Sequence, residues 1–130
     1  MKFVLYTSTL NQDDHDVFVV PDIIRTSRTQ NRVNQITGIL LFDGINFTQY
    51  FEGTDAAVNQ LLDKIMHDDR HKNVVVLLTG HHQTRLYAEW KMGYVDISEH
   101  AHAPENPILQ TGTGINIESF KKLVDGLLVE

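Results

Sequence analysis

The chain has 130 residues, no cysteine and a formal net charge of −6 with its seven histidines neutral. A chain of this length suits one compact domain that buries its own core. Without cysteine, a disulfide framework, a thiolate nucleophile and a cysteine-ligated zinc are excluded. The acidic balance argues against a nucleic-acid surface and gives no indication of a membrane patch.

The N-terminal residues give no indication of export. MKFVLYTST turns polar after one short apolar run and lacks the long apolar region and small-residue cleavage site of a signal peptide. The longest apolar runs, around 39–42 and 74–78, are far too short to span a bilayer. We therefore expect a cytoplasmic protein.

The first half of the chain predicts a strand, a helix and a hairpin. Lys2–Ser8 is the first predicted strand. A helix is expected over 21–30, because a proline at its start and an aspartate in its first turn suit a helix N-terminus. A strongly apolar strand over 36–42 is followed by an Asp-Gly pair, which predicts a hairpin turn. The chain then returns along Asn46–Glu52 as an antiparallel strand.

The second half predicts a helix and two further strands. Thr54 can cap a helix whose apolar stripe runs from Val58 to Met66 and which should end near 68–71. Asn73–Thr79 is nearly all apolar, which is typical of a strand in the centre of a sheet. Arg85–Tyr94 predicts a fifth, less regular strand.

This order of elements predicts an α+β fold, a ferredoxin-like βαββαββ mixed sheet with two helices on one face. Residues 98–114 are rich in Pro, Gly and His and predict a loop. After it, Asn116 can cap a last, amphipathic helix. That helix is expected to cover the other face of the sheet or to form half of a dimer contact.

An amide within an aromatic strand is the first candidate functional group. In NFTQYFEG, period-two geometry places Phe47, Gln49 and Phe51 on one face of the sheet. Leaving a buried amide without partners costs about 1–3 kcal/mol. If the first strand lies beside the third, Tyr6 meets Gln49 on the helix-facing side, within reach of a ligand between the helices. Alternatively, the two side chains satisfy each other inside the core.

The two predicted helices offer a second set of candidates. The facing residues are Ile23, Ser27 and Asn31 on the first helix and Lys64, Ile65 and Asp68 on the second. Two isoleucines at matching depth can form a slot for a flat apolar ring, and amides such as Asn31 and Gln49 suit the donors and acceptors of a flavin or pterin edge. The alternative is an inter-helix packing layer with polar rims.

Other candidate chemistries have weaker support. DDRHK at Asp68–Lys72 could contact a phosphate through Arg70 and His71, although charged runs at helix ends are usually only solvated. The histidines form no HExxH motif, so no metal site is predicted. A hydrolase of the acylphosphatase type needs an arginine in a glycine-containing loop after the first strand, and TLNQDDHD has neither residue. We therefore do not expect an enzyme.

Together these residues resemble the BLUF family, flavin-binding sensors of blue light. The matching blocks are YTS at Tyr6–Ser8, NRVNQITGILLF at Asn31–Phe42, FTQYFEG at Phe47–Gly53, DDRH at Asp68–His71 and RLYAEWKMG at Arg85–Gly93. The resemblance implies a BLUF flavin-binding domain over 1–95. A C-terminal loop and amphipathic helix over 96–130 are expected to serve output or oligomer contacts.

The resemblance also implies a site and a mechanism. FAD is the expected cofactor, with FMN or riboflavin as alternatives, bound between the two helices. Tyr6 matches the photoactive tyrosine and Gln49 the switching glutamine; light-driven electron and proton transfer from Tyr6 and reorientation of Gln49 would change the hydrogen bonds to the flavin. The implied flavin-contacting residues are Tyr6, Ile23, Ser27, Asn31, Phe47, Gln49, Lys64, Ile65, Asp68, Arg70 and His71.

The implied route outward runs through the fifth strand, where Trp90 and Met92 match the pair that relays the switch. No segment resembles an output enzyme, so the expected partners are a second copy of the chain or a separate effector protein. The chain departs from the family pattern at Gln30, Phe51 and Tyr87, none of which is a residue of the switch. A non-photoactive ligand-binding or scaffold module of the same fold is the alternative function.

Overall fold

The computed structural model describes residues 1–11, 19–88, 93–96 and 116–128. Within these ranges the chain forms one sheet of five strands together with three helices. The elements are β1 Lys2–Leu10, α1 Val19–Asn34, β2 Thr37–Phe42, β3 Asn46–Gly53, α2 Asp55–Met66, β4 His71–His81, β5 Gly93–Asp96 and α3 Ile117–Leu128. The predicted loop at 98–114 lies outside the described residues.

The strand order is β4-β1-β3-β2-β5, which places β3 at the centre of the sheet. β1 pairs antiparallel with both β3 and β4, β2 pairs antiparallel with β3, and β5 pairs parallel with β2. Apolar side chains of α1 and α2 pack on one face of this sheet. The predicted α+β, ferredoxin-like mixed sheet with two helices on one face is confirmed.

The local sequence features that predicted these elements act as expected. The Ala57 N–H donates to Thr54 Oγ1 at 3.3 Å and so caps α2. The Ser119 N–H donates to Asn116 Oδ1 at 2.8 Å at the start of α3. Gly44 has a φ of 99° in the β2–β3 hairpin, a left-handed conformation that favours glycine. These caps and this turn fix where the elements begin and reverse.

Three predicted boundaries or positions are wrong. β4 is an edge strand among the described strands, with Val75 52% exposed, and its apolar run therefore does not indicate a central position. In the predicted fifth strand, residues 86–88 form bends and a turn, residues 89–92 lie outside the described residues, and the described strand is Gly93–Asp96. α1 continues one turn past its predicted end and stops where Gln35 adopts a φ of 56°.

The far face of the sheet is covered by α3, as predicted. Phe120 and Val124 are fully buried, and the Phe120 ring stacks on Tyr50 with centroids 5.8 Å apart. The same cluster contains the sheet residues Phe3, Leu5, Ile39, Leu41, Tyr50 and Val95, together with Tyr87. Among the described helices, none combines the length and the apolar character that a bilayer-spanning segment needs.

Replacing Phe120 with alanine tests how much α3 stabilises the sheet. Removing a fully buried phenylalanine side chain lowers the free energy of unfolding by about 3–5 kcal/mol, through lost burial and the cavity left behind. Urea unfolding of Phe120→Ala and the wild type measures this loss. The matched control is Lys121→Ala on the exposed side of the helix, which should change the value by less than about 0.5 kcal/mol. Equally small losses would contradict the packing of α3 on the sheet.

Candidate functional site

A single cleft between α1, α2 and the helix-facing side of the sheet collects the predicted site residues. It contains about 850 Å³ of empty space when the part open to solvent is counted. All eleven predicted ligand-contacting residues line it, namely Tyr6, Ile23, Ser27, Asn31, Phe47, Gln49, Lys64, Ile65, Asp68, Arg70 and His71. Trp90 and Met92, the predicted relay residues, lie outside the described residues.

Seven further residues line the cleft and were not predicted. They are Thr26, Gln30, Asn34, Leu40, Ala57, Gln60 and Leu61. Helical spacing contains the information that finds two of them, because Ala57 and Leu61 precede Ile65 by eight and four positions on one face of α2. Asn34 was missed because the predicted helix ended before it.

Tyr6 and Gln49 occupy the floor of the cleft. They are directly paired in the register between β1 and β3, and they are only 4% and 5% exposed. The Tyr6 hydroxyl donates a hydrogen bond to Gln49 Oε1. The side chains therefore bond to each other and both line the cleft, while their contact with a ligand stays a prediction.

The Tyr6 hydroxyl is held in its neutral form. Burial, and then the negative charge of Asp68, raise the pKa of Tyr6 far above the usual 10.0. The phenol is therefore a hydrogen-bond donor throughout the physiological pH range.

Asn31 adds a second buried amide to the cleft, from the last turns of α1.

His71 is fixed by protein partners on both ring nitrogens. Its Nε2 lies 2.7 Å from the Ile65 carbonyl oxygen, and its Nδ1 lies 2.7 Å from Ser8 Oγ. A carbonyl can only accept, so Nε2 carries the proton, and in the neutral ring Nδ1 accepts from the Ser8 hydroxyl. The ring stands edge-on to Tyr6 with centroids 6.2 Å apart. His71 therefore lines the cleft in a fixed orientation beside Tyr6.

Asp68 and Arg70 form an ion pair at the rim of the cleft. Arg70 Nε donates to Asp68 Oδ1 at 2.9 Å, and Nη2 donates to Oδ2 at 2.6 Å. Burial opposes ionisation of Asp68, but hydrogen bonds and charge from Arg70 leave the pKa of this carboxyl below its usual value. The hydrogen bond to Asp68 in turn raises the pKa of Arg70. Both groups are thus charged at neutral pH.

The arrangement suits a planar, polar-edged ligand. Ile23 from α1 and Ile65 from α2 supply apolar surface, while Asn31 and Gln49 supply amide donors and acceptors. Lys64 and Arg70 add positive charge near the cleft. Among the residues that the structure describes, no three His, Asp or Glu side chains come together as a metal site.

Tyr6→Phe tests whether this phenol stays protonated when buried. The unfolded chain loses the Tyr6 proton near pH 10, whereas the folded protein retains it, so the free energy of unfolding should fall above about pH 10 by about 1.4 kcal/mol per pH unit for this group. Urea unfolding at several pH values should give a shallower decline for Tyr6→Phe by that amount. Below about pH 9 the two curves should run parallel. Identical slopes above pH 10 would contradict the raised pKa.

Comparison with known proteins identifies the family to which the chain is similar. Residues 1–93 match the BLUF family model, "Sensors of blue-light using FAD". The blue light- and temperature-regulated antirepressor BluF of Escherichia coli (strain K12) is 31% identical over 97 residues, which are 75% of this chain and 24% of that protein. Subunit beta of the photoactivated adenylate cyclase of Euglena gracilis is 29% identical over 71% of this chain and 11% of its own length. The chain thus spans about a quarter or less of these curated relatives.

Two solved structures match nearly their whole length. The dark state of BlrB, a BLUF protein, has a TM-score of 0.82 and 26% identity, covering 96% of this chain and 95% of that one. The photo-activated state of BlsA has a TM-score of 0.81 and 28% identity, covering 100% of this chain and 96% of that one. With the family model matched over most of its length, this chain belongs to the BLUF family of blue-light sensors.

Proposed function

We propose that the chain binds FAD non-covalently in the cleft between α1 and α2 and converts blue light into a changed hydrogen-bond pattern at Gln49. The observation that carries this proposal is the Tyr6–Gln49 pair. The two side chains lie in register on neighbouring strands, are joined by a hydrogen bond and both line the cleft. A phenol and an amide placed in this way can exchange a proton and hydrogen-bond partners.

The residues of the cleft support a flavin as the ligand. The two isoleucines and the buried amides Asn31 and Gln49 suit a flat ring with hydrogen-bonding edges. Lys64 and Arg70 suit a phosphate-bearing tail, which favours FAD or FMN over riboflavin. When bound, a flavin absorbs blue light and its excited ring accepts an electron.

Tyr6 is the proposed electron and proton donor. Its hydroxyl donates to Gln49 Oε1, so the proton has a bond to move along when the phenol loses an electron. Gln49 then reorients, which exchanges its acceptor end and its donor end at nearly constant volume. Return of the electron and the proton to Tyr6 leaves no covalent product. What persists is a different set of hydrogen bonds around Gln49.

The signal is proposed to leave through protein contacts rather than through catalysis by this chain. The sensor segment is 1–95, and 96–130 serves output or oligomer formation. The packing of α3 on the far face of β3 supports this division, since the helix contacts the strand that carries Gln49. The light-regulated antirepressor and the photoactivated cyclase, of which this chain spans only a fraction, support a signal that is passed on to an effector.

A light-minus-dark absorbance spectrum tests the proposal. The purified protein should be yellow, and blue light should shift its flavin band slightly to the red, with full reversal in the dark. Gln49→Leu and Tyr6→Phe should bind flavin and show no shift, because each removes one half of the hydrogen-bonded pair. The matched control is Tyr87→Phe, which changes a buried tyrosine on the other face of the sheet. This variant should cycle normally.

The spectrum also separates the alternatives. A normal cycle in Tyr6→Phe would show that Tyr6 is not the donor. A flavin-loaded wild type that does not respond to light would favour the non-photoactive ligand-binding module, in which the Tyr6–Gln49 bond has only a packing role.

Arg70→Gln tests whether the rim contacts a phosphate tail. Loss of a charged hydrogen bond should weaken FAD and FMN binding by up to about tenfold and leave riboflavin binding unchanged. Fluorescence titration with the three flavins measures this, and chromatography of the flavin released from purified protein should identify FAD. Equal weakening for all three flavins would place Arg70 at the ring and not at the tail.

A further inference from the structure

A second polar side chain of β3, Glu52, is buried on the opposite face from Gln49. It is 0% exposed, and its carboxylate accepts four hydrogen bonds. Two come from consecutive backbone N–H groups, of Leu86 at 2.8 Å and of Tyr87 at 2.7 Å. The other two come from the hydroxyls of Tyr50 at 3.0 Å and Thr37 at 3.2 Å. The carboxylate therefore joins β2, β3 and the segment Arg85–Ala88.

Arg85 strengthens the same connection. Its guanidinium donates to Thr37 Oγ1 at 2.9 Å and to the Glu52 backbone carbonyl at 3.2 Å. It also donates to the Gln35 carbonyl at 2.6 Å. The Thr37 hydroxyl thus accepts from Arg85 while it donates to Glu52, and it links the cation to the carboxylate. These bonds hold residues 85–88 in bends where the sequence alone predicted the start of a strand.

Burying a carboxylate in order to hold a segment in place costs free energy. An ionised group buried without full hydrogen bonding is strongly unfavourable, and well-packed apolar residues often stabilise a core as well or better. The gain from a carboxylate is directional, because each of its oxygens fixes the position of the donors it accepts from. Glu52 therefore fixes the position of the segment Arg85–Ala88 relative to β3.

Tyr50 connects this carboxylate to the cleft. It follows Gln49 directly in β3 and points to the other face, where its ring stacks on Phe3 and Phe120 with centroids 5.7 Å and 5.8 Å away. Burial, and then the nearby Glu52 carboxylate, raise the pKa of Tyr50, so its hydroxyl stays a donor to Glu52. A change in the backbone at 49–50 should therefore displace Tyr50 and Glu52. It should also change the hydrogen bonds that Glu52 accepts from the N–H groups of Leu86 and Tyr87.

We propose that Glu52 is a positioning residue that couples Gln49 to the far face of the sheet by tying β3 to the backbone of Leu86 and Tyr87. This inference rests on the proposed function, because it concerns how a change at Gln49 leaves the cleft. When Gln49 reorients, the bonds from Leu86 and Tyr87 to the carboxylate change in length or angle, and the segment Arg85–Ala88 shifts with them.

Hydrogen exchange of the Leu86 and Tyr87 amides, in the dark and under blue light, tests the coupling in the full chain loaded with FAD. In the wild type both amides should be protected in the dark, and illumination should change their exchange rates. Glu52→Gln keeps the shape but replaces the charged acceptor, so exchange in the dark should rise about tenfold. The red shift of the flavin band should remain, while the light-minus-dark difference at these amides should fall to less than about half.

Control variants separate coupling from general stabilisation. Glu118→Gln removes one negative charge from the exposed surface of α3 and should leave exchange at both amides unchanged. If Glu52→Gln does not fold, Thr37→Val decides the question. It removes the hydroxyl between Glu52 and Arg85 and should reduce the light-minus-dark difference, and Thr37→Ser should restore it.

Each outcome has a definite meaning. A wild type that shows the red shift while the Leu86 and Tyr87 amides do not respond to light would overturn the coupling and leave the proposed function intact. A full light-minus-dark difference in Glu52→Gln, or in Thr37→Val where that variant decides, would overturn it in the same way. A flavin-loaded wild type without any red shift would overturn the proposed function and this inference together.

Discussion

The hydrogen bond between Tyr6 and Gln49 is the interaction on which the site depends. It joins β1 to β3 at the centre of the sheet and places a neutral phenol against an amide inside a cleft. An amide left without partners there would cost about 1–3 kcal/mol, so this pair can persist only because the strand register brings the two side chains together. That register belongs to the antiparallel pairing of β1 with β3, in which Lys2 lies opposite Gly53 and Thr9 lies opposite Asn46. Strand pairing between distant parts of the chain therefore determines the geometry of the site.

Much of the fold and most of the residues that line the cleft could be predicted from the sequence, because they depend on caps, turns and residue spacing within short segments. Caps at Thr54 and Asn116 and the turn at Gly44 are decided by a few neighbouring residues. Helical spacing placed the polar and apolar residues of α1 and α2 on the faces that line the cleft. The alternation in β3 likewise separated Gln49 from Tyr50 and Glu52.

What could not be predicted depends on distant partners. The apolar run of β4 is compatible with a central or an edge strand, and only the pairing of β1 with β3 leaves β4 at the edge. Residues 85–88 have a strand-like composition, but the Glu52 carboxylate takes up the backbone N–H groups of Leu86 and Tyr87. The nitrogens of His71 could not be assigned to Ser8 and Ile65 without the fold. In each case a long-range hydrogen bond overrides the local preference.

The chemistry of Gln49 and Glu52, two buried polar residues of β3, explains why Gln49 suits a switch and Glu52 an anchor. An amide has one donor end and one acceptor end of nearly equal size, so Gln49 can rotate and exchange its partners at little steric cost. An ionised carboxylate has two equivalent acceptor oxygens, so rotation of Glu52 would reproduce the same pattern and gain nothing. Its four donors therefore define one arrangement. On one face of β3, Gln49 can adopt two arrangements, and on the other face Glu52 has one. The central strand can therefore transmit a local change from one face to the other without loosening the core.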